Sequence, residues 1–264
     1  MDMPRNRFKL ALQQEQLQLG LFLGLGSPVS AEALASCGYD FLLIDAEHAA
    51  NDLRSIQAQL QAIAAYPVPC LVRPPSHEPA LIKQLLAVGA QTLLVPMVDN
   101  AAQAEALVSA MRYPPKGIRG VGTALERSAR WNAVPGYLAE VEENTCLIVQ
   151  IESQAGLTNL EAIAQVEGVD GVFIGPADLA ASLGYIGQPG HPEVRAIITQ
   201  AITRIVGCGK RAGVFSSDPA LVAGYRANGA SFVALGADTS VLRSAAIALL
   251  NSVRPDAAKS GAAY

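Results

Sequence analysis

The chain has 264 residues, of which 51% are hydrophobic and 16% are charged, and its formal net charge is -4. This balance lacks the basic footprint of a nucleic-acid-binding protein. The sequence has no apolar run of the roughly 18 residues that a membrane span needs, so no membrane partner is expected. The first residues do not resemble a secretory signal, and the four cysteines lie far apart. We therefore expect a cytoplasmic protein.

Eight short apolar runs follow one another along the chain, each bounded by glycine, proline or charge. Such runs are typical of strands that are buried on both faces of a parallel sheet. In chain order they cover residues 20–25, 41–44, 70–73, 92–95, 147–151, 171–174, 212–215 and 232–235.

Helical periodicity separates most of these runs, as the segments 51–69 and 79–89 illustrate. Alternating strands and helices, in a chain close to the typical length of about 250 residues, predict a (β/α)8 barrel. A doubly wound sheet is the rival, but no Gly-x-Gly-x-x-Gly turn follows the first strand. We expect one barrel domain over residues 1–254 and a flexible tail at 255–264.

One connection is much longer than the others, because about fifty residues separate the fourth and fifth strands. We expect this insertion, at about 98–146, to lie on the catalytic face and to shape the site. Its Arg119, Arg127 and Arg130 are expected either to contact a substrate anion or to form surface or interface salt bridges.

The second strand ends in a cluster of ionisable residues, Asp45, Glu47 and His48. Barrel enzymes carry their catalytic residues at the C-terminal ends of strands. An aspartate that accepts a hydrogen bond from one ring nitrogen of a histidine leaves the other nitrogen free as a general base. We therefore expect an Asp45–His48 dyad, the alternative being a histidine satisfied within a loop.

The fifth and sixth strands are each followed by a carboxylate, Glu152 and Asp178. Two carboxylates without a nearby cysteine form a hard oxygen site suited to Mg²⁺ or Mn²⁺. The alternatives are that Asp178 caps the next helix and that Glu152 pairs with an arginine.

Anion-binding groups complete the predicted site. Arg73 ends the third strand, where its guanidinium would match a carboxylate or an enolate oxygen. The backbone N–H groups of Gly175 and Ala177 are expected to hold a substrate carboxylate. With a metal and a base, these groups would stabilise the enolate of a 2-oxo acid. None of the five lysines ends a strand, which disfavours a Schiff base.

A series of motifs, including LLIDAEH, LVRPP, TLLVPMVDNA, RYPPKGIRGVG, VQIES and VEGVDGVFIGPADLAASLGY, runs through the chain. Over nearly its whole length the chain resembles the pyruvate-dependent class II aldolases of the HpcH/HpaI type. The resemblance implies a (β/α)8 barrel whose last helix is exchanged between subunits, in a homo-oligomeric hexamer built from two trimers.

The resemblance also implies the reaction: reversible cleavage of 4-hydroxy-2-oxo acids to pyruvate and an aldehyde through a metal-stabilised enolate. Examples are 4-hydroxy-2-oxoheptanedioate and succinate semialdehyde, in aromatic catabolism. The implied metal is Mg²⁺ or Mn²⁺, with Co²⁺ and Zn²⁺ as further options. The implied site residues are the dyad Asp45 and His48, the enolate-stabilising Arg73, the metal ligands Glu152 and Asp178, the nearby Gln150, and the carboxylate-binding amides of Gly175 and Ala177.

Two departures from the family pattern concern the substrate. Phe22 stands where relatives carry a tryptophan, and Ala87 stands where they carry an aspartate that reaches in from a neighbouring subunit. Phe215 either lines the same pocket or packs in the core. Aldolases for sugar-derived 2-keto-3-deoxy acids, or with hydroxypyruvate as donor, therefore stay open, as do an acyl-CoA lyase or decarboxylase and a non-catalytic metabolite-binding barrel.

Overall fold

The structure is a computed structural model that describes residues 1–254, so the predicted tail at 255–264 lies outside the described residues. Eight parallel strands close into a barrel in sequence order. The strands are β1 (Gln18–Leu23), β2 (Phe41–Asp45), β3 (Cys70–Arg73), β4 (Thr92–Val95), β5 (Cys146–Ile151), β6 (Gly171–Ile174), β7 (Arg211–Phe215) and β8 (Ala230–Ala237).

Helices surround the barrel, which confirms the predicted (β/α)8 fold. They are α1 (Arg7–Gln13), α2 (Pro28–Ala35), α3 (Leu53–Ile63), α4 (Pro79–Ala87), α5 (Ala101–Met111), α6 (Tyr137–Glu140), α7 (Gln154–Thr158), α8 (Leu160–Ala164), α9 (Pro176–Ser182), α10 (Pro192–Gly207), α11 (Pro219–Ala227) and α12 (Asp238–Val253).

The first strand ends two residues earlier than predicted. The carboxylate of Asp238, at the start of α12, accepts hydrogen bonds from the backbone N–H groups of Gly24 at 2.8 Å and Leu25 at 3.1 Å. These N–H groups therefore bind a side chain instead of a neighbouring strand, and the ladder stops at Leu23.

Helix α1 covers the N-terminal ends of the strands and closes that end of the barrel. Phe8 is fully buried and contacts the rings of Phe41 and Phe232, with centroids 5.3 and 5.6 Å away. A Cβ atom at Gly20 or Gly213 would collide with the Phe41 or Phe232 ring, respectively. Glycine is therefore required at both positions, and the aromatic cluster seals the core opposite the catalytic end.

The predicted position of the insertion was wrong. Helix α5 begins soon after β4, so the extra residues lie after this helix, between it and β5. They pack at the N-terminal end of the barrel, where the Ser128 N–H donates to the Ala87 carbonyl at 3.0 Å. Arg127 also donates to the carbonyl of Val88, just past the end of α4, at 3.1 Å, and to the carbonyl of Leu60, near the end of α3, at 3.3 Å. Helix-to-strand connections lie opposite the catalytic face, which explains the error.

Helix α12 presents a row of apolar side chains away from the barrel. Val241, Leu242, Leu249 and Val253 are between 45% and 77% exposed. An apolar helical stripe of this kind normally packs against another element. Among residues 1–254, the structure contains no helix with the length and apolar character that a membrane crossing requires.

Candidate active site

The C-terminal ends of the strands surround a cavity of about 690 Å³. This is where a barrel places catalytic side chains, because the strand-to-helix loops converge there. Nine of the ten predicted site residues line the cavity, and the tenth, Asp45, lies beside Arg73. The nine are Phe22, His48, Arg73, Gln150, Glu152, Gly175, Ala177, Asp178 and Phe215.

Asp45 and Arg73 form a buried bidentate ion pair at the ends of two adjacent strands. The register of β2 and β3 places these residues side by side. Arg73 Nε and Nη2 each donate to one Asp45 carboxylate oxygen at 2.8 Å. Burial pushes the pKa of Asp45 upward, but the hydrogen bonds and charge of Arg73 outweigh it and hold that pKa below its ordinary value. The guanidinium is therefore fixed in one orientation.

The structure does not show the predicted contact between Asp45 and the His48 ring. The backbone N–H of His48, not its ring, approaches an Asp45 oxygen, at 3.5 Å. Both Asp45 oxygens already accept bonds from Arg73, so the carboxylate faces the guanidinium. The His48 side chain is 60% exposed, and its Nε2 lies 3.7 Å from Glu47 Oε2. The ring is therefore open to the cavity, and its role as a base stays a prediction.

Glu47 belongs to the site although we did not predict a role for it. Its Oε2 lies 3.0 Å from Arg73 Nη1, yet this oxygen is buried and has no hydrogen-bond partner within residues 1–254. Burial raises the pKa of Glu47 despite the nearby charges of Arg73 and His48. The only sequence signal was its position between Asp45 and His48, so Glu47 adds negative charge that the prediction omitted.

Glu152 directly follows β5 and is 2% exposed. One carboxylate oxygen accepts the Met97 N–H at 2.8 Å, and the other accepts a hydrogen bond from the Gln150 side chain. Burial raises the pKa of Glu152 to about 7, and the charges of Glu47 and Asp178 act in the same direction. A Cβ atom at Gly175 would collide with this carboxylate, so glycine leaves the room that Glu152 needs.

The alternatives for the two carboxylates do not match their contacts. Asp178 lies in the first turn of α9, but Gly175 is the N-cap residue and the helix has no side-chain cap. Glu152 binds Met97 and Gln150, not an arginine.

The expectation for the Gly175 amide was wrong. This N–H donates to the Ile151 carbonyl at 3.2 Å. That bond continues the pairing of β5 and β6, so the amide is not open to a substrate carboxylate. Ala177, in the first turn of α9, also lines the cavity, and its binding role stays a prediction.

The site has the character of a cation site with few protein ligands. Within residues 1–254, no group of three or more His, Cys, Asp or Glu side chains could hold a metal ion. Glu152 and Asp178 provide two carboxylates. In addition, the buried Gln150 Oε1 atom has no hydrogen-bond partner in that part of the chain. Burial is the main cause of the raised pKa of Glu152, and a cation bound to this carboxylate would offset the cost of burying its charge. These residues fit a hard divalent cation that keeps positions for water and substrate.

Aromatic side chains also line the cavity. The Arg73 Cζ atom lies 5.0 Å from the centroid of the Phe22 ring. Phe215 meets Phe22 edge-on at 5.6 Å, and Phe173 lies 6.4 Å from it. Phe22 and Phe215 both line the cavity, and Phe215 also packs against the core, while their contact with the aldehyde stays a prediction. Phe173 was missed, as was Tyr225, because the sequence pattern of each is that of a core residue.

A parallel barrel that gathers an arginine, a histidine and two carboxylates at its C-terminal end has the architecture of a barrel enzyme. Residues 18–245 match the family model of the HpcH/HpaI aldolase/citrate lyase family. The chain belongs to this family, which confirms the resemblance inferred from the motifs.

Named relatives and a solved structure agree with this assignment. The chain is 59% identical to a hydroxypyruvate/pyruvate aldolase from Pseudomonas aeruginosa, over 92% of this chain and 90% of that protein. It is 54% identical to a 4-hydroxy-2-oxo-heptane-1,7-dioate aldolase from Escherichia coli, over 92% and 93%. The crystal structure of a family member from Burkholderia cenocepacia J2315 superposes with a TM-score of 0.91 at 40% identity, covering 94% of this chain and 99% of that one.

Proposed function

We propose that this protein is a divalent-metal-dependent class II aldolase that reversibly cleaves 4-hydroxy-2-oxo acids to pyruvate and an aldehyde. Family membership and the two named aldolases support a carbon–carbon lyase of the pyruvate aldolase class. The observation that carries the proposal is that His48, Arg73, Glu152 and Asp178 line one cavity at the catalytic end of the barrel.

Each residue then has a definite task. Glu152 and Asp178 would hold the cation, Mg²⁺ or Mn²⁺, beside the Gln150 amide. When bound, such a cation polarises the 2-oxo group and stabilises negative charge on its oxygen. Arg73, which Asp45 holds in one orientation, would donate to the same developing charge.

His48 is proposed as the general base. In cleavage its ring takes the proton of the 4-hydroxyl group, the C3–C4 bond breaks, and the aldehyde leaves. The enolate of pyruvate is then protonated at C3. In the synthetic direction the same ring removes a C3 proton from pyruvate, and the enolate attacks the aldehyde. The exposure of the imidazole to the cavity supports this role, because a base must reach solvent and substrate.

Hydroxypyruvate is a second candidate donor. Three relatives named hydroxypyruvate/pyruvate aldolase are 59%, 58% and 52% identical to this chain, and the heptanedioate aldolase is 54% identical.

We also propose a cytoplasmic homo-oligomer, a hexamer of two trimers that exchange α12. The exposed apolar row on α12, Val241, Leu242, Leu249 and Val253, supports such an exchange because it needs a covering surface.

The test is pyruvate release from a panel of 4-hydroxy-2-oxo acids, before and after chelation and with Mg²⁺ or Mn²⁺ restored. We expect cleavage to stop on chelation and to return with the metal, and the panel to identify the aldehyde. Glu152→Gln should abolish metal-restored cleavage. The matched control Glu161→Gln removes a surface carboxylate that binds Arg204 and should cleave normally. Cleavage that survives chelation would contradict the metal assignment.

A further inference from the structure

The structure contains another cavity, of about 310 Å³, at the N-terminal end of the barrel. It lies opposite the catalytic end, between the segment that precedes α1, the starts of β3 and β4, and the irregular segment that follows α5. Its volume is at the lower end of the range of roughly 300–1,000 Å³ found for small-ligand sites. We call it the basal cavity.

Arginine dominates the charge of the basal cavity. Among residues 1–254, no aspartate or glutamate lines it, although the chain as a whole has a net charge of -4. Guanidinium groups concentrated in one concave surface attract anions, and the low-dielectric walls strengthen the attraction. The lining arginines are Arg5, Arg7, Arg119, Arg127 and Arg130.

Arg119 is the most buried of these arginines, at 2% exposure. Its Nη2 contacts Glu126 Oε2 at 3.3 Å and the Tyr137 hydroxyl at 3.4 Å, and its guanidinium stacks 4.5 Å from the Tyr113 ring centroid. Its Nε is buried without a hydrogen-bond partner in the described part of the chain. An unpaired buried donor is costly, so an acceptor bound close to this guanidinium would stabilise it.

Arg127 and Arg130 lie close enough for their charges to interact. Arg127 donates to the carbonyls of Val88 and Leu60, so its charge meets neutral acceptors. Burial, together with the charge of Arg130, lowers the pKa of Arg127. Two like charges at one cavity wall repel each other, and an anion between them would relieve that repulsion.

We propose that the basal cavity binds a tetrahedral oxyanion, either inorganic phosphate or the phosphate group of a small ester. Arg5 precedes α1 and Arg7 begins it, whereas the other three arginines follow α5, so two separate parts of the chain supply the positive charge. A phosphate offers several oxygens in different directions, whereas a carboxylate suits one planar fork. The anion would tie the N-terminal segment to the insertion, remote from the aldolase site.

The probe is inorganic phosphate, titrated by calorimetry into the Mg²⁺-loaded protein in its native assembly. Saturating pyruvate is present to occupy the catalytic cavity. We expect one saturable phosphate per chain. The Arg5→Gln/Arg130→Gln double variant should bind phosphate at least about tenfold more weakly, because each charge-assisted hydrogen bond is worth roughly a tenfold factor or more. The matched control Arg226→Gln, on exposed helix surface, should bind as the original protein does.

Two further experiments complete the test, a thermal-stability measurement on a variant and a titration with a phosphate ester. Arg127→Gln should lose the increase in Tm that phosphate gives the original protein, whether or not this variant is itself less stable. Glycerol phosphate distinguishes the two sources, since tighter binding of the ester than of phosphate assigns the site to an ester. The proposal is overturned if phosphate fails to bind when pyruvate is present, or if the double variant binds it with unchanged affinity. Aldolase activity does not enter these readouts, so the proposed function stands or fails separately.

Discussion

Arg73→Lys keeps the positive charge but removes the planar fork. Arg73 makes two 2.8 Å bonds to Asp45, lies 3.0 Å from Glu47, and covers the Phe22 ring. A lysine ammonium cannot reproduce both bonds to Asp45 and still face a substrate oxygen. Each charge-assisted bond is worth about 1.5–3 kcal/mol. Losing one of them in the transition state lowers kcat/KM by about 10²-fold, because 1.36 kcal/mol corresponds to tenfold in rate.

The assay is pyruvate release coupled to NADH oxidation, at saturating Mg²⁺. Arg204→Lys is the matched control, because Arg204 also makes a bidentate pair, with Glu161, at 2.6 Å for both bonds, but does not line the catalytic cavity. We expect Arg204→Lys to cleave at the original rate. Near-normal kcat and KM in Arg73→Lys would refute the role of the fork.

Three other substitutions test the base, the ion pair and the sealed end of the barrel. His48→Ala should lower kcat by about 10²-fold or more in the coupled assay, and unchanged turnover would remove His48 as the base. Asp45→Asn should lower the free energy of unfolding in urea at pH 7 by about 3 kcal/mol, because it breaks a buried pair. The folded pKa of Asp45 lies below its ordinary value of 3.8, so this stabilisation is present above that pH and is lost below it. A difference that does not shrink in acid would contradict the pairing. Phe8→Ala should cost about 3–5 kcal/mol, whereas Leu10→Ala, on the exposed side of α1, should cost under about 1 kcal/mol, and equal losses would contradict the sealing role.

The barrel was predictable because its strands are local apolar runs and their alternation with helices leaves few topologies. The positions of Arg73 and Glu152 at the C-terminal ends of strands were predictable for the same reason. The partner of Asp45 was not, because the Asp45–Arg73 contact depends on the register of two strands 28 residues apart. No local pattern specifies that register.

The local sequence pattern also could not predict at which end of the barrel the insertion lies. Its location depends on whether the extra residues precede or follow α5, and that helix was absorbed into the predicted insertion. The use of the Gly175 amide by Ile151 likewise depends on where the β5–β6 ladder ends. In both cases, hydrogen bonds between distant segments decided the outcome.

The proposed reaction depends on the removal of a C3 proton from pyruvate at this site with the help of a divalent cation. The most direct test follows the pyruvate methyl signal by NMR in deuterated water, with protein and Mg²⁺ but no aldehyde. We expect the signal to be lost through exchange, and we expect chelation, Glu152→Gln or His48→Ala to stop the exchange. Exchange no faster than without protein, or exchange that persists after chelation, would contradict the proposed reaction.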